Sequence, residues 1–171
     1  MFRKMRRQAQ ALSREETLGI LSCAGCGTLA LSGDNGYPYA VPLSFAFDGD
    51  KTVYFHSALT GHKIDSVKRS SKASLCVIDR DEIVPEEFTT HYRSVIAFGK
   101  VRIVAEAEEK LRAIKLLAEK YSPDEPEERT SAEIEGAWDR FCIVAMELEH
   151  ITGKEARELS EKKCGQNGVH K

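Results

Sequence analysis

Apolar and polar positions change period several times along this chain, and each change marks an element. Ser13 and Glu16 have capping-box spacing, and Leu12, Leu18, Ile20 and Leu21 give the following segment a buried side, which predicts a helix ending near Gly25. Thr28 to Ser32 reads as a strand, and Gly33 to Gly36 (GDNG) supplies turn residues able to take positive φ. Tyr37 to Phe47 then resumes an extended run, so the three together predict a hairpin. Pro38 and Pro42 cannot donate ladder hydrogen bonds, so the second strand is expected to be irregular or at an edge, with backbone groups free for a ligand.

Asp48-Gly49-Asp50 is a second tight turn, followed by a strand from Thr52 to Ser57 and a helix from about Gly61 to Ser70. A short apolar strand at Ala73 to Asp79 and an acidic loop at Asp81 to Glu87 precede a long strand, Tyr92 to Val104, in which Val101 and Ile103 alternate with Lys100 and Arg102. Glu106 to Tyr121 reads as a helix with Leu111, Ile114, Leu117 and Ala118 on one side, stopped by Pro123 and Pro126. A short helix near Ser131 to Trp138, a strand from Phe141 to Glu149 and a polar tail follow. Six or so strands joined mostly by hairpins predict a mainly β fold, an antiparallel barrel decorated by α-helices, rather than a doubly wound sheet.

The length of 171 residues suits one domain. We read residues 1–12 as a basic arm, 13–154 as the barrel domain and 155–171 as the tail. A formal charge of −2, from 25 basic and 27 acidic residues, argues against general nucleic-acid binding, which needs a basic face. Arg3, Lys4, Arg6 and Arg7 are locally basic and read as a solvated arm. The start lacks the apolar core of a secretory signal and no apolar run approaches membrane-spanning length, so the expectation is a cytoplasmic protein with no membrane partner. Five cysteines, an odd number, are expected to be reduced thiols.

Candidate chemistry concentrates in Phe55 to Lys63, FHSALTGHK, where a strand passes through Gly61 into a helix start. Such a junction can hold a phosphate, because unpaired N–H groups and the positive end of the helix dipole point at one spot. Ser57 can donate a hydroxyl, Lys63 supplies a compact charge, and Gly61 permits a close backbone approach. By itself the pattern equally describes a helix start without a ligand. His56 can exchange a proton near neutrality and is the candidate catalytic residue, with a hydrogen-bonding residue at a strand end as the alternative; His62 and His91 carry weaker signals. Cys23-x-x-Cys26 could be a redox pair or two incidental thiols, and Cys76, Cys142 and Cys164 lack the spacing of a second zinc-binding pair, so no metal is expected.

Several separated blocks in fixed order carry a wider similarity: MFRKMRR at the start, GYPYAVPLSFAF at Gly36 to Phe47, YFHSALTGHKID at Tyr54 to Asp65, FTTHYRSVIAFGK at Phe88 to Lys100, LLAEKYSP at Leu116 to Pro123, and EHITGK at Glu149 to Lys154. With these the chain resembles the pyridoxamine 5'-phosphate oxidase-like flavin-binding split barrels, in particular the branch related to 5-nitroimidazole resistance (Nim) proteins. That resemblance implies an FMN-binding split β-barrel and a homodimer with FMN at the subunit interface. It implies that Val41, Pro42, Leu43 and Ser44 offer backbone contacts along the flavin edge. His56, Ser57, Gly61, His62 and Lys63 would surround the phosphate, and Ser94, within the block Tyr92, Arg93, Ser94 and Val95, would reach the phosphate or ribityl chain. Arg93 stands at a variable position of the family pattern, and Ser44 where many relatives carry Asn. Trp138, the single tryptophan, could stack on a partner's flavin or serve as core.

The activity implied is an FMN-dependent oxidoreductase, with NADH or NADPH as donor and a small organic acceptor, a nitroaromatic or nitroimidazole being one possibility. Two alternatives stand beside it: a flavin-binding store, sensor or redox partner without turnover, and oxidation of pyridoxamine phosphate itself.

Overall fold

The computed structural model describes residues 1–161. Helix α1 (Arg14–Cys23) starts on the expected capping box: Glu16 N–H donates to Ser13 Oγ at 3.1 Å and Ser13 N–H donates to Glu16 Oε2 at 2.8 Å. Strands β1 (Gly27–Ser32) and β2 (Pro38–Leu43) form the expected hairpin, with Asn35 and Gly36 at positive φ in its turn. Asp48 closes the next turn by accepting from the N–H groups of Asp50, Lys51 and Thr52, each at 2.9 Å.

Strands β3 (Ala46–Phe47), β4 (Thr52–Ala58), β5 (Lys72–Val84), β6 (Thr89–Ile103) and β7 (Phe141–Glu155) complete one antiparallel sheet, in the order β2-β1-β5-β6-β7-β4-β3. Strands β2 and β3 therefore lie at opposite edges, yet in sequence Ser44 and Phe45 alone separate them. Three Cα steps span at most roughly 11 Å, so the sheet has to curl until its edges nearly meet. The result is a barrel with a split along that seam. The prolines sit on the edge strand, where a missing N–H costs the ladder least.

Inside the barrel, Leu29, Phe45, Val53, Phe55, Leu75, Val77, Val95, Val144 and Met146 are buried together, and α2 (His62–Arg69) adds Ile64 and Val67. A second, smaller cluster joins the outward residues Tyr54, Phe141, Ile143 and Ala145 to Ala113 and Leu117 of α3 (Ala107–Tyr121). Strand β4 thus buries both of its faces. Arg102 fixes α3 on the sheet by a two-pronged pair with Glu109, at 2.9 and 2.6 Å, and Tyr54 Oη donates to the same carboxylate at 3.2 Å.

Four expectations need correction. The strand expected at Ala73 to Asp79 runs on to Val84, because the acidic stretch pairs with residues 89–93 in a long hairpin closed by a turn at Pro85–Glu87. Both faces of that hairpin meet water, so no apolar alternation betrays it. Leu111 is exposed, and α3 buries Ala113 together with the expected Leu117. The last helix, α4 (Glu127–Ala137), begins behind Pro126 rather than near Ser131, with Glu127 and Glu128 in its first turn. Strand β7 reaches Glu155, past the expected Glu149, because β6 offers it a partner along that length.

The basic arm also departs from a free tether. Ala11 bridges Lys154, Leu12 N–H donates to Gly153 O at 3.0 Å, and Gln10 and Leu12 are buried, while Arg3, Lys4, Arg6 and Arg7 stay exposed. Residues 162–171, most of the expected tail, lie outside the described residues.

Candidate functional site

Alternation along β4 builds the site: Val53, Phe55 and Ser57 are buried, and His56 is presented at the surface. Beyond the strand, Gly61 caps α2 with φ +114° and ψ 171°, a conformation a β-carbon would strain. Lacking a side chain, Gly61 offers no acceptor to the first-turn N–H groups, and α2 has no side-chain cap. Lys63 sits in that first turn. Burial lowers its pKa, and among the described residues no carboxylate forms an ion pair with it.

Two neighbours feel that charge. The His56 imidazole is pushed down first by burial and then by Lys63. The Cys142 thiol is pushed up by burial, with Lys63 opposing, and donates to Ala58 O at 3.3 Å. His56, Lys63 and an uncapped helix start therefore form a positive, partly desolvated corner at one end of the barrel. Its chemistry suits an anion.

His62 belongs to the same turn but is otherwise engaged. Its ring stacks on Tyr39 at 4.0 Å, and Nε2 lies 3.6 Å from Asp34 Oδ2. Arg69 holds the other oxygen of Asp34 at 2.6 Å and Gly33 O at 2.8 Å, so these residues clamp α2 to the tip of the β1–β2 hairpin.

Val41, Pro42 and Leu43 lie on the edge strand opposite Leu29, Thr28 and Gly27, and Ser44 begins the crossing to β3. The crossing is held by Tyr121 at the end of α3. Its hydroxyl accepts from Phe45 N–H at 2.8 Å and is 2.8 Å from Phe45 O and 2.7 Å from Gly25 O. Next to it Lys120 donates to Ala24 O at 2.7 Å. Leu43, Ser44 and His56 then form the barrel side of a cavity of about 660 Å³. Its other wall comes from Ile114, Leu117 and Tyr121 of α3 and from Arg129, Thr130, Glu133 and Ile134 of α4. The volume is that of a small-molecule site.

Trp138 stands at the rim of the same region. It meets Phe141 edge-on at 5.9 Å, and the Phe141 ring lies 5.2 Å from His56. Lys110 ties this corner down, donating to Trp138 O at 2.6 Å and Phe141 O at 2.9 Å.

The block Tyr92 to Val95 lies elsewhere. Ser94 pairs with Lys154, whereas His56 pairs with Ile143 at the far end of β7. Eleven residues of strand separate the two levels, roughly 35 Å along the strand path. Val95 is core, Arg93 pairs with Asp79 at 2.6 Å, and Lys154 Nζ lies 5.1 Å from the Tyr92 ring centre. His91, also on β6, is buried against Glu87 at 2.9 Å. Within one chain the structure thus unites Leu43, Ser44, His56, Ser57, Gly61, Lys63 and Trp138 at one end, and leaves Tyr92 to Val95 at the other.

Reading by sequence expected helices at Glu106 to Tyr121 and near Ser131 to Trp138 but gave neither a place in the site. Pro126 followed by two glutamates was the available signal for α4, and Tyr121 lay within the LLAEKYSP block without a role attached. Cys23 and Cys26 are exposed where α1 ends, Cys76 is exposed on β5, and Cys164 lies outside the described residues. Among the described residues no group of three or more His, Cys, Asp or Glu could hold a metal ion, and no helix is long and apolar enough to cross a membrane.

Residues 13–155 match the family model described as pyridoxamine 5'-phosphate oxidase. A candidate 5-nitroimidazole antibiotic resistance protein of Bacteroides thetaiotaomicron shares the fold with a TM-score of 0.70 and 22% identity, over 85% of this chain and 86% of that one. For a conserved hypothetical protein of Mycobacterium tuberculosis the values are 0.77 and 20%, over 91% and 92%. For a FAD-binding protein of Mesorhizobium loti they are 0.59 and 22%, over 86% and 97%. No curated protein matches the chain. At these identities the likeness establishes the split-barrel fold.

Proposed function

Because the chain belongs to the pyridoxamine 5'-phosphate oxidase family, we propose that it is an FMN-dependent oxidoreductase that takes electrons from NADH or NADPH and reduces a small organic acceptor. The observation that carries the reading is Lys63: a half-buried ammonium without a carboxylate partner among the described residues, beside a helix start that Gly61 leaves uncapped. Both features fit a phosphate ester. When bound, the flavin supplies the redox chemistry, receiving electrons from the nicotinamide and passing them to the acceptor.

The protein's own part is binding and orientation. Lys63, Ser57 and the first-turn N–H groups of α2 hold the phosphate. The backbone of Val41 to Ser44, kept in place by Tyr121 through Phe45, lines the ring. The cavity between Ser44, His56, α3 and α4 receives the acceptor, and His56 is the group placed to hand over a proton.

The reading includes a homodimer. A flavin touching both His56 and Ser94 needs two chains, because one chain pairs these residues with positions eleven residues apart on β7, roughly 35 Å along the strand path. The outward face of β5 and β6 exposes Ile78, Ile96 and Phe98, and the hairpin beyond exposes Ile83 and Phe88, an apolar surface suited to a second copy.

The visible absorption of the purified protein tests the cofactor, with the chromophore released by heat and identified by chromatography. Stoichiometric FMN, and oxidation of NADH or NADPH on adding a nitroaromatic, is the expected result. Bound FMN that neither nicotinamide reduces would make the protein a flavin binder without turnover. A colourless protein that takes up no added flavin would overturn the reading.

A further inference from the structure

The loop that joins α1 to β1 carries the stretch Cys23-Ala24-Gly25-Cys26, and both thiols are exposed. The two residues between them are acceptors for the end of α3: Lys120 donates to Ala24 O at 2.7 Å, and the Tyr121 hydroxyl lies 2.7 Å from Gly25 O. That hydroxyl also accepts from Phe45 N–H at 2.8 Å, so the loop, α3 and the crossing between β2 and β3 meet on one side chain. Just past the loop, Gly27 pairs with Leu43 of the edge strand.

The backbone of the loop is one rotation short of a tight turn. Ala24 has φ −65° and ψ 132°, close to the first central residue of a type II turn, which takes about −60° and +120°. The second central residue of such a turn needs φ near about +80°, and Gly25 is not at positive φ. A β-carbon on Gly25 would meet nothing within 4 Å, so the open loop makes no demand for glycine, whereas the closed turn does. Closing it brings the Cα atoms of Cys23 and Cys26 to within about 7 Å, where a disulfide can span them. The same rotation swings the Gly25 carbonyl away from Tyr121. The Lys120 ammonium, pushed down by burial and drawn back up by the charge of Cys23, sets a cation beside an exposed thiol, the surroundings in which thiols react.

We propose that Cys23 and Cys26 are a redox modification site: hydrogen peroxide closes them into a disulfide, and the closed turn unfastens the end of α3 from the loop. One thiolate attacks a peroxide oxygen, the O–O bond breaks, and the sulfur becomes a sulfenic acid as water leaves. The second thiol then attacks that sulfur, the S–O bond breaks, and the hydroxyl departs as a second water. Two thiols and one peroxide thus give one disulfide and two waters, and a dithiol reductant restores the thiols as it becomes a disulfide itself. Released from Gly25, Tyr121 holds the crossing at Phe45 less firmly. Where that crossing lines a flavin, as in the reading above, oxidation also weakens FMN binding.

The tryptic peptide of residues 15–51 holds these two cysteines and no other, so differential alkylation and mass spectrometry of the full-length protein read the site directly. Peroxide is expected to give an internal disulfide there that dithiothreitol removes. Amide exchange at Phe45 is expected to be roughly fivefold or more faster in the oxidised protein, and a Cys23→Ser, Cys26→Ser double variant to keep the slow rate under peroxide. Gly25→Ala, strained at positive φ, is expected to keep the melting temperature of the reduced protein and to shift the thiol–disulfide equilibrium with glutathione roughly fivefold or more toward the thiols. These readouts need no flavin, so a protein that binds no FMN would sink the flavin reading and leave the switch standing. No disulfide in that peptide, closure undiminished in Gly25→Ala, Phe45 exchange unchanged by oxidation, or unchanged FMN affinity in a protein that binds FMN would overturn the proposal.

Discussion

A lysine ammonium that has lost part of its water without gaining a counter-ion lowers the stability of the fold that holds it. Lys63 is such a residue, so binding and stability should pull in opposite directions there. Lys63→Met is expected to raise the urea midpoint of the ligand-free protein while weakening FMN affinity by roughly one to two decades, the scale of a lost charge-assisted hydrogen bond of about 1.5–3 kcal/mol. Fluorescence titration and denaturation on the same preparation check both signs. His56 gives a pH dependence. Burial, then Lys63, hold its folded pKa below the ordinary histidine value of about 6.5. Below that pH the unfolded chain binds more protons, so stability is full above it and declines as pH falls through the folded pKa. The unfolding midpoint is expected to drop between pH 7.5 and 5.5, and His56→Gln to flatten the drop; parallel curves for the two proteins would remove His56 from the account. Both residues could be marked from the FHSALTGHK pattern, because strand alternation and helix-start chemistry are local. The occupation of His62 by Tyr39 and Asp34 could not, since it depends on a hairpin tip folding over α2.

At the scale of elements, α3 is bolted to the barrel at both ends, and the bolts differ. Near its start Glu109 meets Arg102 and Tyr54; at its end Tyr121 spans the crossing and the loop after α1. Tyr121→Phe leaves the buried Phe45 N–H without its acceptor and is expected to cost about 1–3 kcal/mol in urea denaturation. It is also expected to weaken FMN binding, since Leu43 and Ser44 lose their anchor; a variant with full stability and affinity would show that the crossing holds itself. Elements with local punctuation were legible in the sequence: the Ser13 box, the GDNG turn, the Asp48 turn and the proline-marked edge strand. Those defined by their partners were not. The outer half of the β5–β6 hairpin buries no apolar side chain, and the far end of β7 exists because β6 lies beside it.

In the whole molecule, the proposed dimer would tie cofactor binding to assembly through the blocks at Lys63 and Ser94. Ile78→Glu or Ile96→Glu, on the outward face of the hairpin, is expected to give a monomer by light scattering and to lose flavin in parallel. A monomer with undiminished FMN affinity would rule out a shared site. The seam between β2 and β3 also has a temporal side. Strand β4 has the two-residue β3 as one neighbour and β7 as the other, and β7 follows it by some eighty residues. On the ribosome, β4 therefore emerges long before its main partner exists. Pulse-labelled amide exchange during refolding is expected to find the β1–β2 and β5–β6 hairpins protected first and Thr52 to Ala58 last, so that the strand carrying His56 is the one whose exposure a chaperone would have to cover.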